Sequence, residues 1–175
     1  MSAVAERITS HAERRERAAE LAQRYDFARE ALALYGAVAE AQARVFERAQ
    51  TDRPSADTLA AYVVRVALPD VMGAVMAAGT ETLREAVLLR FHEGDLEGMV
   101  TSWLRGEQQD GTDVFLARAA TTPVLEALPE LARTLAGTSL GDDTLSPRHG
   151  GLCPACGGSP QAVHPSSTCQ SKQSQ

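Results

Sequence analysis

Apolar positions recur at helical spacing through the first fifty residues. Up to Tyr25 the apolar face is thin and charges of both signs dominate, which predicts a solvated or frayed helix. From Asp26 onward the pattern is stronger. Two neighbouring stripes run along it: Leu34, Val38, Ala41 and Val45, and beside them Leu32, Tyr35, Ala39, Gln42 and Phe46. So wide a face predicts core packing, with a partner surface as the alternative. Gly36, on the same helix, suits the close approach of a second helix.

Four shorter helices are predicted in the middle of the chain, separated by turn signals. Asp57, in the loop TDRPSAD, is a candidate N-cap for the first helix, which the stretch LPD is expected to end. Pro69 suits the first turn of the second helix. Thr82 and Glu85 have capping-box spacing for the third helix, and Asp95 is a candidate N-cap for the fourth.

A final helical stretch follows the polar linker GEQQDGTD and contains internal prolines. Gly106 fits just past the end of the preceding helix. From Val114 the sequence is helical again, and Pro123 is expected to kink or divide this helix, with Thr122 as a candidate cap. Gly137 is expected to end it.

Residues 1–136 therefore predict an all-α domain, an irregular bundle of about six helices. Neither a strand with period-two alternation nor an internal repeat interrupts the pattern. Aromatic residues make up only 5% of the 175 residues, so the core must consist mostly of Ala, Leu and Val. That composition suits packed helices better than sheets.

Charge and cysteine content bear on the possible partners of the chain and on its cellular compartment. The net charge is −6 and no broad basic face is apparent, so nucleic-acid binding is not expected. The first thirty residues lack the apolar core of a secretory signal, and no apolar run reaches the length of a membrane span. Three cysteines do not form a disulfide framework, so a reduced, cytoplasmic setting is predicted.

The C-terminal part of the sequence differs in composition from the helical part. Residues 137–152 predict a linker, and residues 162–175 predict a disordered tail, since seven of the last ten residues are Ser or Gln. Between them, residues 153–161 read CPACGGSPQ. Cys153 and Cys156 have the spacing of a rubredoxin-like or zinc-ribbon-like knuckle. Such a site needs four ligands, so this knuckle is an incomplete metal module.

Three interpretations of the cysteine pair remain open. His164 and Cys169 can complete a zinc site of the form C-x2-C-x7-H-x4-C. The pair can instead be a redox dithiol, although such motifs usually open a helix after a strand. The third interpretation, which we favour, is the first knuckle of a larger metal domain whose remainder this chain lacks.

The remaining candidates for chemistry are weak. His92 has no partner nearby in sequence, and a surface histidine at a helix end is the simpler interpretation. The segment HAERRER predicts a solvated helix face, because its glutamates cancel its arginines. The sequence shows no nucleophile–base arrangement, no phosphate-binding glycine loop and no paired-carboxylate motif, so no enzymatic activity is expected.

Three segments, taken in order, carry a family resemblance. Residues 32–49 read LALYGAVAEAQARVFERA and include the pattern Q-A-R-x-F, and residues 113–132 read DVFLARAATTPVLEALPELA, with a proline after F-L-A-R-A. The knuckle CPACGGSPQ follows. Over residues 20–161 the chain resembles the formate dehydrogenase accessory proteins of the FdhE family.

The resemblance implies a helical domain followed by rubredoxin-like modules in which CxxC knuckles bind iron or zinc. It implies a cytoplasmic maturation protein, not an enzyme, that binds the catalytic subunit of respiratory formate dehydrogenase before export. By position, the metal ligands here would be Cys153 and Cys156. We expect the client contacts at exposed apolar positions of the helix over residues 27–46 and near Trp103. A homodimer is a further partner consistent with this class.

This chain departs from the family after the first knuckle. Family members continue with more cysteine pairs, whereas here a short polar stretch follows and Cys169 stands alone. We therefore expect a truncated or frameshifted end, which puts metal binding in doubt. The alternatives are a small zinc-binding adaptor or nucleic-acid-binding protein using Cys153, Cys156, His164 and Cys169, or an unrelated helical protein with a chance CxxC.

Overall fold

A computed structural model describes the backbone of residues 3–139 and the side chains of residues 11–135. Within these residues all regular structure is helical and no strand occurs, which confirms the all-α prediction. The helices are α1 (Ala3–Arg24), α2 (Arg29–Asp52), α3 (Leu59–Tyr62), α4 (Leu68–Ala78), α5 (Glu81–Glu93), α6 (Leu96–Leu104), α7 (Gly111–Ala127) and α8 (Pro129–Ser139). A 3-10 turn, Asp26–Ala28, joins α1 to α2, and a π-helical segment, Val63–Ala67, joins α3 to α4.

Helix α2 lies at the centre of the bundle and packs against α1, α4 and α7. Its two predicted stripes explain this position. Val45 and Phe46, one from each stripe, are at most 1% exposed. Burying a side chain of this size contributes about 1.5–3 kcal/mol. The interpretation of the wide face as core is confirmed for most of its length. The exceptions are Tyr35, which is 48% exposed, and the partly buried Leu32, which does not belong to the core.

Helix α1 packs along α2 and is not merely solvated, contrary to the expectation for this segment. A Cβ atom added to Gly36 would lie 4.0 Å from the Cβ of Ala18, so small residues let the two helices approach closely. Where the helices are this close, a thin apolar stripe is enough to hold them. His11 is 2% exposed, and its ring centroid lies 5.8 Å from that of Phe46. The rest of HAERRER is exposed, as predicted, except Arg14, which is partly buried and lies 3.7 Å from Glu126.

The expected break at LPD does not occur, because α3, the π-helical segment and α4 form one continuous helix. The N–H of Leu68 donates to the carbonyl of Val63, five residues back, which widens the turn just before Pro69. A widened turn relieves the clash between a proline ring and the carbonyl four residues before it. Asp57 is not the N-cap; the residue before α3 is Thr58, which bonds back to Ser55.

This continuous helix, Leu59–Ala78, is long and apolar enough, by length and composition alone, to cross a membrane. It therefore corrects the expectation that no apolar run reaches that length. A core helix can meet the same criteria, and here the helix contributes to the core. Its buried side chains are Leu59, Tyr62, Val63, Ala67, Leu68, Val71, Ala74 and Val75.

The predicted N-cap was right at α6 and wrong at α5, as it was at α3. The Asp95 carboxylate accepts from the Gly98 N–H at 3.0 Å, which confirms the N-cap of α6. Gly106 has φ +70° just past the end of α6, as predicted. The capping box at Thr82 was wrong, because the cap of α5 is Thr80, whose hydroxyl accepts from the Leu83 N–H at 3.3 Å.

Helix α7 begins at Gly111 and runs through Pro123. Of the two outcomes expected at Pro123, a kink or a division, the division with Thr122 as a cap does not occur. The helix ends instead before Leu128, whose φ of −127° and ψ of 74° suit a residue that precedes a proline. Pro129 then starts α8, which continues past Gly137 to Ser139. The rest of the predicted linker, the knuckle over residues 153–161 and the tail over 162–175 lie outside the described residues.

Candidate interaction surface

The predicted metal ligands Cys153 and Cys156, and the alternative ligands His164 and Cys169, all lie outside the described residues. Among the residues that the structure does describe, no group of three or more His, Cys, Asp or Glu side chains could hold a metal ion. His92 is exposed in the last turn of α5, as the sequence predicts for a surface histidine.

Exposed aromatic side chains mark the connection between α1 and α2. Phe27, in the 3-10 turn, is 91% exposed, and Tyr25 beside it is 42% exposed. Their ring centroids lie 5.8 Å apart in an edge-to-face arrangement. The chain has only four Phe and three Tyr. With so few aromatic residues available for the core, a Phe and a Tyr that are both exposed at one place indicate an interaction surface. Aromatic side chains of this kind are enriched in protein interfaces.

A groove of about 490 Å³ lies between α1 and α2. Leu21 and Ala18 of α1, with Leu32 and Tyr35 of α2, supply its apolar lining. We refer to Leu21, Tyr25, Phe27, Leu32 and Tyr35 together as the hairpin-end surface.

The charges beside the groove balance one another. Arg17 pairs with Glu20 on the same helix, and Arg14 lies 3.7 Å from a carboxylate oxygen of Glu126. The arginines are thus already matched by carboxylates within the chain. Because the lining is apolar and the surrounding charge is neutralised, this surface favours apolar side chains over an anionic ligand.

A second group of exposed apolar residues lies on α5. Leu88, Leu89 and Phe91 are 44%, 62% and 50% exposed, and Val87 is the buried side chain of this helix. An ion pair compensates for the small apolar contact, since Arg90 Nε donates to the Asp113 carboxylate of α7 at 2.5 Å. Sequence analysis did not predict this surface, because the apolar residues of α5 do not concentrate on one face.

Polar contacts elsewhere serve the fold. The hydroxyl of Tyr62 donates to Asp52 at 3.0 Å and ties α3 to the end of α2. Burial, and next the hydrogen bond to the Asp52 carboxylate, raise the pKa of Tyr62 to about 12. The phenol is therefore protonated at neutral pH and cannot act there as a base. Trp103 is partly buried and packs against the core, so it offers less surface than the sequence suggested.

Comparison of the chain with known protein families, with curated proteins and with solved structures finds no match. The resemblance to the FdhE accessory proteins accordingly remains a prediction.

Proposed function

We propose that this chain is a binding protein of the FdhE accessory type, which holds the catalytic subunit of formate dehydrogenase in the cytoplasm during maturation and catalyses no reaction itself. The hairpin-end surface carries the proposal. A helical protein with an exposed aromatic pair at the connection between two helices, and an apolar groove between the same two helices, has what is needed to bind an apolar segment of an immature polypeptide.

The packing of the two helical segments that resemble the family adds support. Residues 32–49 lie in α2 and residues 113–132 lie in α7 and α8, and α2 packs directly on α7. The side-chain amide of Gln42, from Q-A-R-x-F, donates to the carbonyl of Ala119, the last residue of F-L-A-R-A, at 3.0 Å. The two motifs therefore contact each other in the same helical bundle. This contact is a physical reason for them to occur together in one family.

Binding would proceed by burial of apolar surface. Phe27 is 91% exposed in the free protein, so covering it with a client side chain contributes about 1.5–3 kcal/mol. The groove lined by Leu21 and Leu32 would take neighbouring apolar side chains of the client. Because aromatic side chains at the centre of an interface usually dominate its affinity, Phe27 and Tyr35 are the expected anchors.

Metal is not required for this binding. Cys153 and Cys156 would supply two thiolates to an iron or zinc ion, whereas a tetrahedral site takes four ligands. The proposed client surface belongs to the helical part of the chain. Client binding therefore does not need the cysteine knuckle.

The test is co-purification of the formate dehydrogenase catalytic subunit with the full chain from the same cell. We expect capture by the intact chain and by the Cys153→Ser/Cys156→Ser variant, and loss of capture with Phe27→Ser/Tyr35→Ser. Phe91→Ser is the matched control, because it removes an exposed aromatic side chain from α5 instead.

No capture by the intact chain would contradict the proposal. In that case one tightly bound zinc per chain, lost on Cys169→Ser, would favour the zinc-binding adaptor. Self-association of the purified chain that Phe27→Ser abolishes would instead show that the hairpin-end surface serves a homodimer.

A further inference from the structure

Pro123 leaves a gap in the hydrogen bonding of α7. In an α-helix the N–H of residue 123 would donate to the carbonyl of residue 119, but proline has no N–H. Pro123 is buried inside α7, and Ala119 is 6% exposed. Water therefore has little access to the Ala119 carbonyl, and leaving it unpaired would destabilise the fold.

The side chain of Gln42 in α2 supplies the missing donor. Its Nε2 atom donates to the Ala119 carbonyl at 3.0 Å, from a position 77 residues earlier in the chain. An amide from a neighbouring helix thus replaces the backbone N–H that Pro123 lacks. This explains why α7 continues through a proline that the sequence alone predicts to kink or divide it.

Two other polar groups in the same turn of α7 are unsatisfied. The hydroxyls of Thr121 and Thr122 are buried and have no hydrogen-bond partner in the described part of the chain. With its backbone bond missing and two hydroxyls unpaired, this turn is a weak point of α7. Helix bends concentrate at prolines of this kind.

We propose that residues 119–123 form a hinge in α7 and that Gln42 is the latch that keeps it closed. When the Gln42 bond opens, the C-terminal end of α7 and the following α8 gain freedom to bend away from α2. The latch is a conformational device of the fold and does not depend on which partner the hairpin-end surface binds.

Amide hydrogen exchange of the full chain tests the latch. Gln42→Met keeps the side-chain length and removes the donor. We expect exchange about tenfold faster over residues 124–135, equal to about 1.4 kcal/mol, with little change in α4 and α6. Gln50→Met is the matched control on α2, since the side chain of Gln50 makes no hydrogen bond in the described part of the chain.

The Pro123→Ala background makes the test specific. There the residue at 123 regains an N–H for the Ala119 carbonyl, so adding Gln42→Met should change exchange by less than about threefold. Gln42→Glu lacks the donor at neutral pH and also sets a carboxylate against the Ala119 carbonyl, so it should accelerate exchange at least as much as Gln42→Met in the natural background. Equal acceleration in both backgrounds, acceleration spread over all helices, or none at all would overturn the proposal.

Discussion

Replacing Arg90 by Met should loosen α5 from the bundle, because an ion pair holds a helix with little buried apolar surface. The side chains of Arg90 and Asp113 are only 14% and 15% exposed. Removing one partner leaves a largely buried carboxylate unpaired, and breaking a buried pair in this way costs about 3–5 kcal/mol. Asp113 lies in the first turn of α7, where the helix dipole favours a carboxylate. That placement lowers the expected loss to about 2–3 kcal/mol.

Two comparisons separate this mechanism from a general loss of charge. The double variant Arg90→Met/Asp113→Leu leaves no unpaired charge, so it should be more stable than Arg90→Met alone. The pair Arg133–Glu130 is 71% and 76% exposed, and Arg133→Met should change the free energy of unfolding by less than about 0.5 kcal/mol. Urea unfolding followed by circular dichroism gives these values. A loss below about 1 kcal/mol for Arg90→Met, or a double variant as unstable as the single one, would show that the unpaired Asp113 carboxylate does not cause the instability.

Two further predictions concern pH and capping. Because the pKa of Tyr62 rises from 10.0 to about 12 on folding, its contribution to stability is present below pH 10 and is lost as the pH rises towards 12. The free energy of unfolding should fall over that window, and Tyr62→Phe should flatten the fall; an unchanged slope would show that burial and the Asp52 contact do not raise this pKa on folding. Thr80→Ala should cost about 1 kcal/mol in urea unfolding whereas Thr82→Ala should cost less than about 0.5 kcal/mol, and the reverse order would place the cap of α5 wrongly.

Local pattern was enough to predict the central helix and some of its neighbours. The two stripes of α2 repeat at helical spacing, and the structure buries Val45 and Phe46 from them. The cap at Asp95 was also predictable, because its carboxylate bonds to a residue three positions away. These features depend on contacts within a few residues, which the sequence shows directly.

Pro69 does lie in the first turn of α4, as predicted, but the helix breaks expected at LPD and at Pro123 do not occur. These two outcomes depend on distant or unusual contacts. Before Pro69 a π-helical segment relieves the clash between the proline ring and the preceding turn, and the local sequence pattern does not predict such a segment. At Pro123 the replacement donor is Gln42, which is remote in sequence and becomes a neighbour only through the packing of α2 on α7. Gln42 does lie within an apolar stripe. A polar residue at such a core-facing position was the one sequence feature that could have indicated a buried hydrogen bond.

The candidate surface was predicted in part. The expectation of exposed apolar positions within residues 27–46 agrees with the exposure of Phe27 and Tyr35. The groove beside them could not be predicted, because it depends on how closely α1 approaches α2. The sequence also could not show that Trp103 is less exposed than Phe27, because the exposure of a side chain depends on the assembled bundle and not on residue type alone.

Titration calorimetry of the full chain with the purified catalytic subunit of formate dehydrogenase gives the affinity of the proposed complex. We predict binding that Phe27→Ser weakens about tenfold to a hundredfold, from the apolar surface that Phe27 would bury. The Cys153→Ser/Cys156→Ser and Phe91→Ser variants should bind like the natural chain. No binding by the natural chain, or equal binding by Phe27→Ser, would contradict the account.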